Sequence, residues 1–231
     1  MTSTLLRITG VTLVATMLAG CGLLDPPQPP PTAPPAPSAT APGKARTWTE
    51  AELRSALLEA AELPGDFSAA PAGAVPMAGG TTGLEGCGAS PAPSSEGSPS
   101  ATAVFQGGMT GPFVAELLVS ARSVPDATGA MAALRAAPGE CAEFSVEGPD
   151  GTRLTMRLGQ LSVPATGDET AAFRMTATYG STGLNLYAHV VTVRLGAVLV
   201  MVTVLQLSAP DVATTGDVVR RAVTKARRTL S

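Results

Sequence analysis

The sequence predicts an α+β domain, with a largely antiparallel sheet of about seven strands packed by three helices, after a signal peptide and a Pro-rich spacer. Three observations carry that expectation. Seven apolar, β-branched runs are separated by glycine- or proline-bearing turns. Three segments repeat apolar residues at helical spacing. Their order (helix, two strands, helix, five strands, helix) lacks the strict strand–helix alternation of a parallel sheet.

The chain divides into 1–20, 21–46 and 47–231. Residues 8–18 form an apolar run behind Arg7, too short for the roughly 20 residues that a bilayer core requires. Such a run suits the apolar region of a secretory signal peptide. Leu18-Ala19-Gly20-Cys21 then resembles the bacterial lipoprotein processing motif at all four positions. That resemblance implies cleavage after Gly20, a diacylglyceryl thioether on Cys21, and residence on the extracytoplasmic face of the cell membrane. The alternatives are an ordinary secretory leader with an incidental cysteine, or a short core segment. Residues 25–44 are proline-rich, with Pro26-Pro27, Pro29-Pro30-Pro31 and Pro34-Pro35. They read as an extended polyproline II spacer rising about 3.1 Å per residue.

Helical character begins at Trp48. Thr49 and Glu52 have capping-box spacing, and Trp48 and Leu53 that of a hydrophobic staple. Leu53, Leu57, Leu58 and Ala61 share a face, and Pro64-Gly65 stops the helix. Residues 69–100 read as a long Gly/Ala/Pro/Ser-rich loop. Strands are expected at 101–106 and 113–122, then an alanine-rich helix at 126–137 leading to Cys141. Further strands follow at 142–147 and 152–158, turning at Pro149-Asp150-Gly151, and at 171–179, 184–195 and 198–207. Residues 198–205 are almost wholly apolar, as in a central strand covered on both faces. The closing helix, 211–231, has Val219, Ala222, Val223, Ala226 and Leu230 on its apolar stripe. Arg220, Arg221, Lys225, Arg227 and Arg228 make its polar side.

Composition excludes several kinds of function. The formal net charge is −3, and one unit more negative once Arg7 leaves with the leader. Nothing here supplies the clustered cations that nucleic acid requires. Lysine occurs only at Lys44 and Lys225, a usage that suggests GC-rich coding and an actinobacterial source. Of the three cysteines, Cys21 goes to lipid. Cys87 and Cys141 remain to pair in an oxidising compartment, the alternative being two separate buried thiols. His189 is the lone histidine, so a multi-histidine metal site is impossible, and mid-strand it reads as a partly buried sheet residue. No nucleophile elbow and no phosphate-cradling glycine motif is present. Glu140 and Glu143 flank Cys141, and Asp168-Glu169 occupy an expected turn. Aromatic content of 3% leaves few rings for sugar stacking. The residues favour a non-catalytic binding module with no cofactor and no metal.

Several stretches, in order, resemble the extracytoplasmic sensor domains of PknH-type receptor Ser/Thr kinases and the actinobacterial lipoproteins carrying a related domain. They are Leu63-Pro64-Gly65-Asp66-Phe67, Cys87-Gly88, Phe105-Gln106-Gly107-Gly108 with Gly111-Pro112-Phe113, Cys141-Ala142-Glu143-Phe144, and Val191 to Gly196 before Val198-Leu199-Val200. The resemblance implies an α+β domain with a cleft for an extracellular ligand. Where those sensors carry two disulfides, this chain has cysteines for one, Cys87–Cys141. The expected protein is therefore anchored to the membrane by lipid and binds a small-molecule or envelope ligand or a membrane protein partner. The alternative is a lipid carrier holding acyl chains in an apolar cavity.

Overall fold

The computed structural model describes residues 46–70, 97–147, 151–180 and 182–231. Among them, eight strands form one antiparallel sheet: β1 (Ser68–Ala69), β2 (Ser100–Gln106), β3 (Phe113–Ser120), β4 (Glu143–Glu147), β5 (Arg153–Gln160), β6 (Glu169–Tyr179), β7 (Asn185–Leu195) and β8 (Val198–Gln206). Helices α1 (Glu50–Ala56), α2 (Val124–Glu140) and α3 (Val212–Thr229) pack on it, with a 3-10 turn at Ala60–Glu62. The order across the sheet is β1-β2-β3-β8-β7-β6-β5-β4. The chain lays down one edge, crosses along α2 to the far edge, and meanders back until β8 pairs with β3.

That closing strand has to be apolar on both sides, because both sheet faces are covered. Leu199, Met201 and Leu205 of β8 point into one core, with Phe173 and Met175 of β6 and Met131 and Leu134 of α2. Val198, Val200, Val202 and Val204 point into the other, against Leu53 of α1 and Val218, Val219, Ala222 and Val223 of α3. Alternation in β7 obeys the same rule: Ala188 and Val190 face the first core, Val191 and Val193 the second.

Local signals fix the helix starts. Thr49 accepts from the Glu52 N–H at 3.3 Å, and Glu52 Oε2 accepts from the Thr49 N–H at 2.8 Å, completing the box. Ser123 caps α2, with Pro125 in its first turn. Asp211 caps α3, accepting from the Thr214 N–H at 2.7 Å. At Gly196, φ of +58° lets the chain turn from β7 into β8, and the Gly196 N–H donates to Asp168 at 2.7 Å.

Five expectations need correction. The first helix ends at Ala56, well short of Pro64-Gly65, and Ala61 is exposed. Ser68–Ala69, at the start of the expected loop, pairs with Phe105–Gln106 as an eighth strand too short to show alternation. Glu169 opens β6 and accepts from Arg194 at 3.0 Å, so only Asp168 remains in the turn. Lys225, placed on the polar side of the last helix, is 9% exposed. Helix α2 also runs further than its pattern indicated, from Val124 to Glu140, carrying Pro138 in its last turn. The leader, the spacer, Cys21, Cys87 and the Pro149-Asp150 turn lie outside the described residues. No helix among the described residues is long and apolar enough to cross a membrane.

Candidate functional site

β3 reads Phe-Val-Ala-Glu-Leu-Leu-Val-Ser, a strand apolar on both faces apart from Glu116 and the terminal Ser120. Period-2 alternation puts Glu116 on the side of Val114 and Leu118, the side covered by α1 and α3. Its side chain is completely buried. Oε2 accepts the Leu58 backbone N–H at 2.6 Å, while Oε1 is buried with no hydrogen-bond partner among the described residues. Burial pushes the Glu116 carboxyl up to about 7, against the opposing pull of the Leu58 N–H and the positive charge of Lys225.

This contact explains where α1 stops. Leu57 adopts extended backbone, φ −68° and ψ 150°, and the next N–H turns inward to Glu116 instead of continuing the helical ladder. The chain then crosses toward α3 and tightens into the 3-10 turn, where Glu62 bonds the Glu59 N–H at 2.8 Å. Lys225 reaches across from α3 to Glu62 at 2.5 Å and Glu59 at 3.4 Å. Arg221 Nη1 donates to the Glu62 carbonyl at 3.1 Å. Burial alone would raise Glu62. The hydrogen bond from Lys225, the Glu59 N–H and the charges of Lys225 and Arg228 outweigh it and hold Glu62 below 4.5. Burial likewise works against the Lys225 charge, and Glu62 and Glu59 together reverse that effect and raise Lys225 above 10.5.

Between this segment and α3 lies a cleft of about 400 Å³. Leu58, Ala61 and Glu62 form one wall, and Arg220, Arg221, Thr224, Lys225 and Arg228 the other. Arg221, Thr224, Lys225 and Arg228 follow one another at i, i+3, i+4 and i+7, so they occupy one helix face. Glu116 sits directly behind Leu58, with the carboxyl group against the back of the cleft wall. The arrangement is suited to holding a ligand electrostatically. It offers no nucleophile beside a base.

The residues singled out in the sequence fall elsewhere. His189, 5% exposed on β7, bonds through Nδ1 to the Thr215 hydroxyl at 3.0 Å and packs under the start of α3. Burial lowers its proton affinity, and Arg174 adds to the effect while Asp211 opposes it. Glu140 ends α2, and Glu143 on β4 pairs with Arg157 at 2.7 Å. Glu169 lies between Arg135 and Arg194, binding α2 to the sheet. Cys141, the C-cap residue of α2, is disulfide-bonded, and with Cys87 outside the described residues the Cys87–Cys141 pairing stays a proposal. None of these residues lines the cleft. Among the described residues, no group of three or more His, Cys, Asp or Glu side chains could hold a metal ion.

Sequence reasoning missed Glu116 and the Glu62–Lys225 pair. A lone carboxylate inside an apolar eight-residue strand was the available signal for the first. For the second it was a lysine three residues after Ala222, at the border of the apolar stripe.

No family model matches the chain, and no curated protein matches it. Among solved structures, the extracellular domain of PknH from Mycobacterium tuberculosis is similar at 11% identity, over 79% of this chain and 98% of that one, with a TM-score of 0.47. A likeness that loose carries no argument about function, and the functional reading rests on the cleft.

Proposed function

We propose that this chain is a non-catalytic, sensor-like binding domain on the extracytoplasmic face of the cell membrane. A lipid on Cys21 tethers it there, and a Cys87–Cys141 disulfide braces it. It takes a small-molecule or envelope ligand in the cleft between Leu58–Glu62 and α3, and a membrane protein partner responds to occupancy. The observation that carries this reading is Glu116, a fully buried carboxyl group with one unpartnered oxygen behind the cleft wall. A hydrophobic residue there would serve the core better, since an unsatisfied buried polar atom costs about 1–3 kcal/mol. Local departures from packing logic concentrate at functional sites.

The carrier alternative differs in what the ligand buries. An acyl chain needs an apolar cavity, whereas this cleft has four cations in its walls. The cleft therefore favours a polar or charged ligand group over a hydrocarbon chain.

Ala61 is exposed and lines the cleft, so Ala61→Trp fills the cleft without disturbing the core. Full-length protein and this variant are extracted from membranes in mild detergent, and co-purifying small molecules are identified by mass spectrometry. A molecule retained by the parent and absent from the variant supports the reading. Equal retention by both, or retention by neither, overturns it.

A further inference from the structure

We propose that the cleft binds a phosphate group, gripped by the guanidinium groups of Arg221 and Arg228 beside the Lys225 ammonium. The inference rests on reading this cleft as the ligand site and names the chemistry the cleft selects. The four cations of the cleft differ in how far they are already engaged. Arg220 is committed to Asp217 at 2.5 Å, outside the cleft wall. Lys225 is held between Glu59 and Glu62. Arg221 spends one N–H on the Glu62 carbonyl, at the edge of its fork, and its other donors remain available. The Arg228 guanidinium makes no hydrogen bond or ion pair among the described residues, although its charge helps to hold Glu62 ionised.

Two guanidinium groups seven residues apart on one helix face, with a lysine between them, both line the cleft opposite the Leu58–Glu62 wall. Their planar forks match the paired oxygens of phosphate. The carboxylates in reach, Glu59 and Glu62, make their ion pairs with Lys225 and none with Arg221 or Arg228, although Arg228 feels the Glu62 charge. Leu58 and Ala61 give the cleft an apolar border on which the carbon part of a phosphate ester can rest. The site is thus cationic on a chain whose overall charge is −3, a local reversal that general solubility does not require.

A free phosphate compound and a phospholipid headgroup share this chemistry. The test therefore uses inorganic phosphate and glycerol phosphate in one arm, and phosphatidylcholine vesicles with and without phosphatidylglycerol in the other. Full-length protein in detergent micelles is titrated with the soluble probes, with the Arg221 and Arg228 side-chain N–H signals and the Leu58 amide followed by NMR. Vesicle binding is measured by sedimentation with the Cys21→Ser form. The expected result is saturable binding, weakened at least about tenfold in Arg221→Gln/Arg228→Gln, as the loss of two charge-assisted hydrogen bonds demands. Arg122→Gln, a control on an exposed arginine far along the chain, should bind like the parent. Response in the soluble arm points to a free phosphate compound. Response only to phosphatidylglycerol vesicles points to a headgroup.

Absence of binding in both arms overturns the inference, as does equal weakening by the control or undiminished binding by the double variant. A neutral or cationic molecule recovered from the parent and lost from Ala61→Trp would leave the proposed function standing and dismiss phosphate as its ligand.

Discussion

Glu116→Gln isolates one ionisable group whose folded environment is unlike water. Burial lifts its carboxyl from 4.5 to about 7. The sign follows from which state binds the proton more tightly. Below about pH 4.5 folded and unfolded chains are both protonated at this residue, and its contribution is fully present. Between 4.5 and 7 the unfolded chain releases the proton first, so stability falls as pH rises, and above 7 the loss is complete. At about 1.4 kcal/mol per pH unit the loss comes to about 3 kcal/mol. Glutamine keeps an acceptor for the Leu58 N–H and cannot ionise. Its amide, placed where Oε1 has no partner, costs about 1–3 kcal/mol at every pH. The variant should therefore be less stable than the parent at pH 4, and the gap should close or reverse by pH 8. Urea denaturation of detergent-free Cys21→Ser forms at a series of pH values measures that difference. Glu169 and Asp211 shift with pH in both proteins and cancel from it, and Glu62, whose charge acts on Glu116, adds only the change in that coupling. A stability gap constant from pH 4 to pH 8 would refute the reasoning, because Glu116 would then be hydrated or paired when folded.

Two further outcomes follow from local structure. Asp211→Ala removes the cap of α3 and should lower the thermal midpoint at pH 7 by a few degrees. Because the Thr214 N–H and hydroxyl hold Asp211 below 3.8, that contribution is present above this value and lost as pH falls through the lower folded value. Thermal denaturation at pH 7 and pH 2 checks both statements. Cys21→Ser should move the processed protein from the detergent phase to the aqueous phase on phase separation, since the lipid on Cys21 is its one proposed apolar anchor. Unchanged partition would dismiss the lipid anchor.

The sheet was legible because its signals are local. The 198–205 run reads as a strand buried on both faces, and Gly196 joins it to the strand before it. The Thr49–Glu52 box and the valine–alanine stripe of α3 likewise follow from spacing alone. What failed was decided across long separations. Leu57, Leu58 and Ala61 have helical spacing, and nothing within ten residues of them ends the helix before Pro64. The reason lies 58 residues away, at Glu116. Lys225 looked solvated for the same reason, since its partners Glu59 and Glu62 are more than 160 residues distant. The cleft is made entirely of such contacts, so the resemblance could supply the expectation of a cleft without any of its lining residues.

These long-range contacts form one causal series. A carboxyl group in the middle of β3 needs a donor, and the nearest is a backbone N–H that α1 would otherwise use. Taking it ends the helix at Ala56 and leaves Leu57 and Glu59 extended, which carries Glu59 and Glu62 to α3. There they draw Lys225 into burial and leave Arg221 and Arg228 facing open space. Leucine at position 116 would fill the same volume, let α1 continue through Leu58, and turn those two glutamates away from Lys225. The core would gain and the cleft would lose its wall. Retaining an unsatisfied buried oxygen makes physical sense if the irregular segment it creates is the part of the domain that binds.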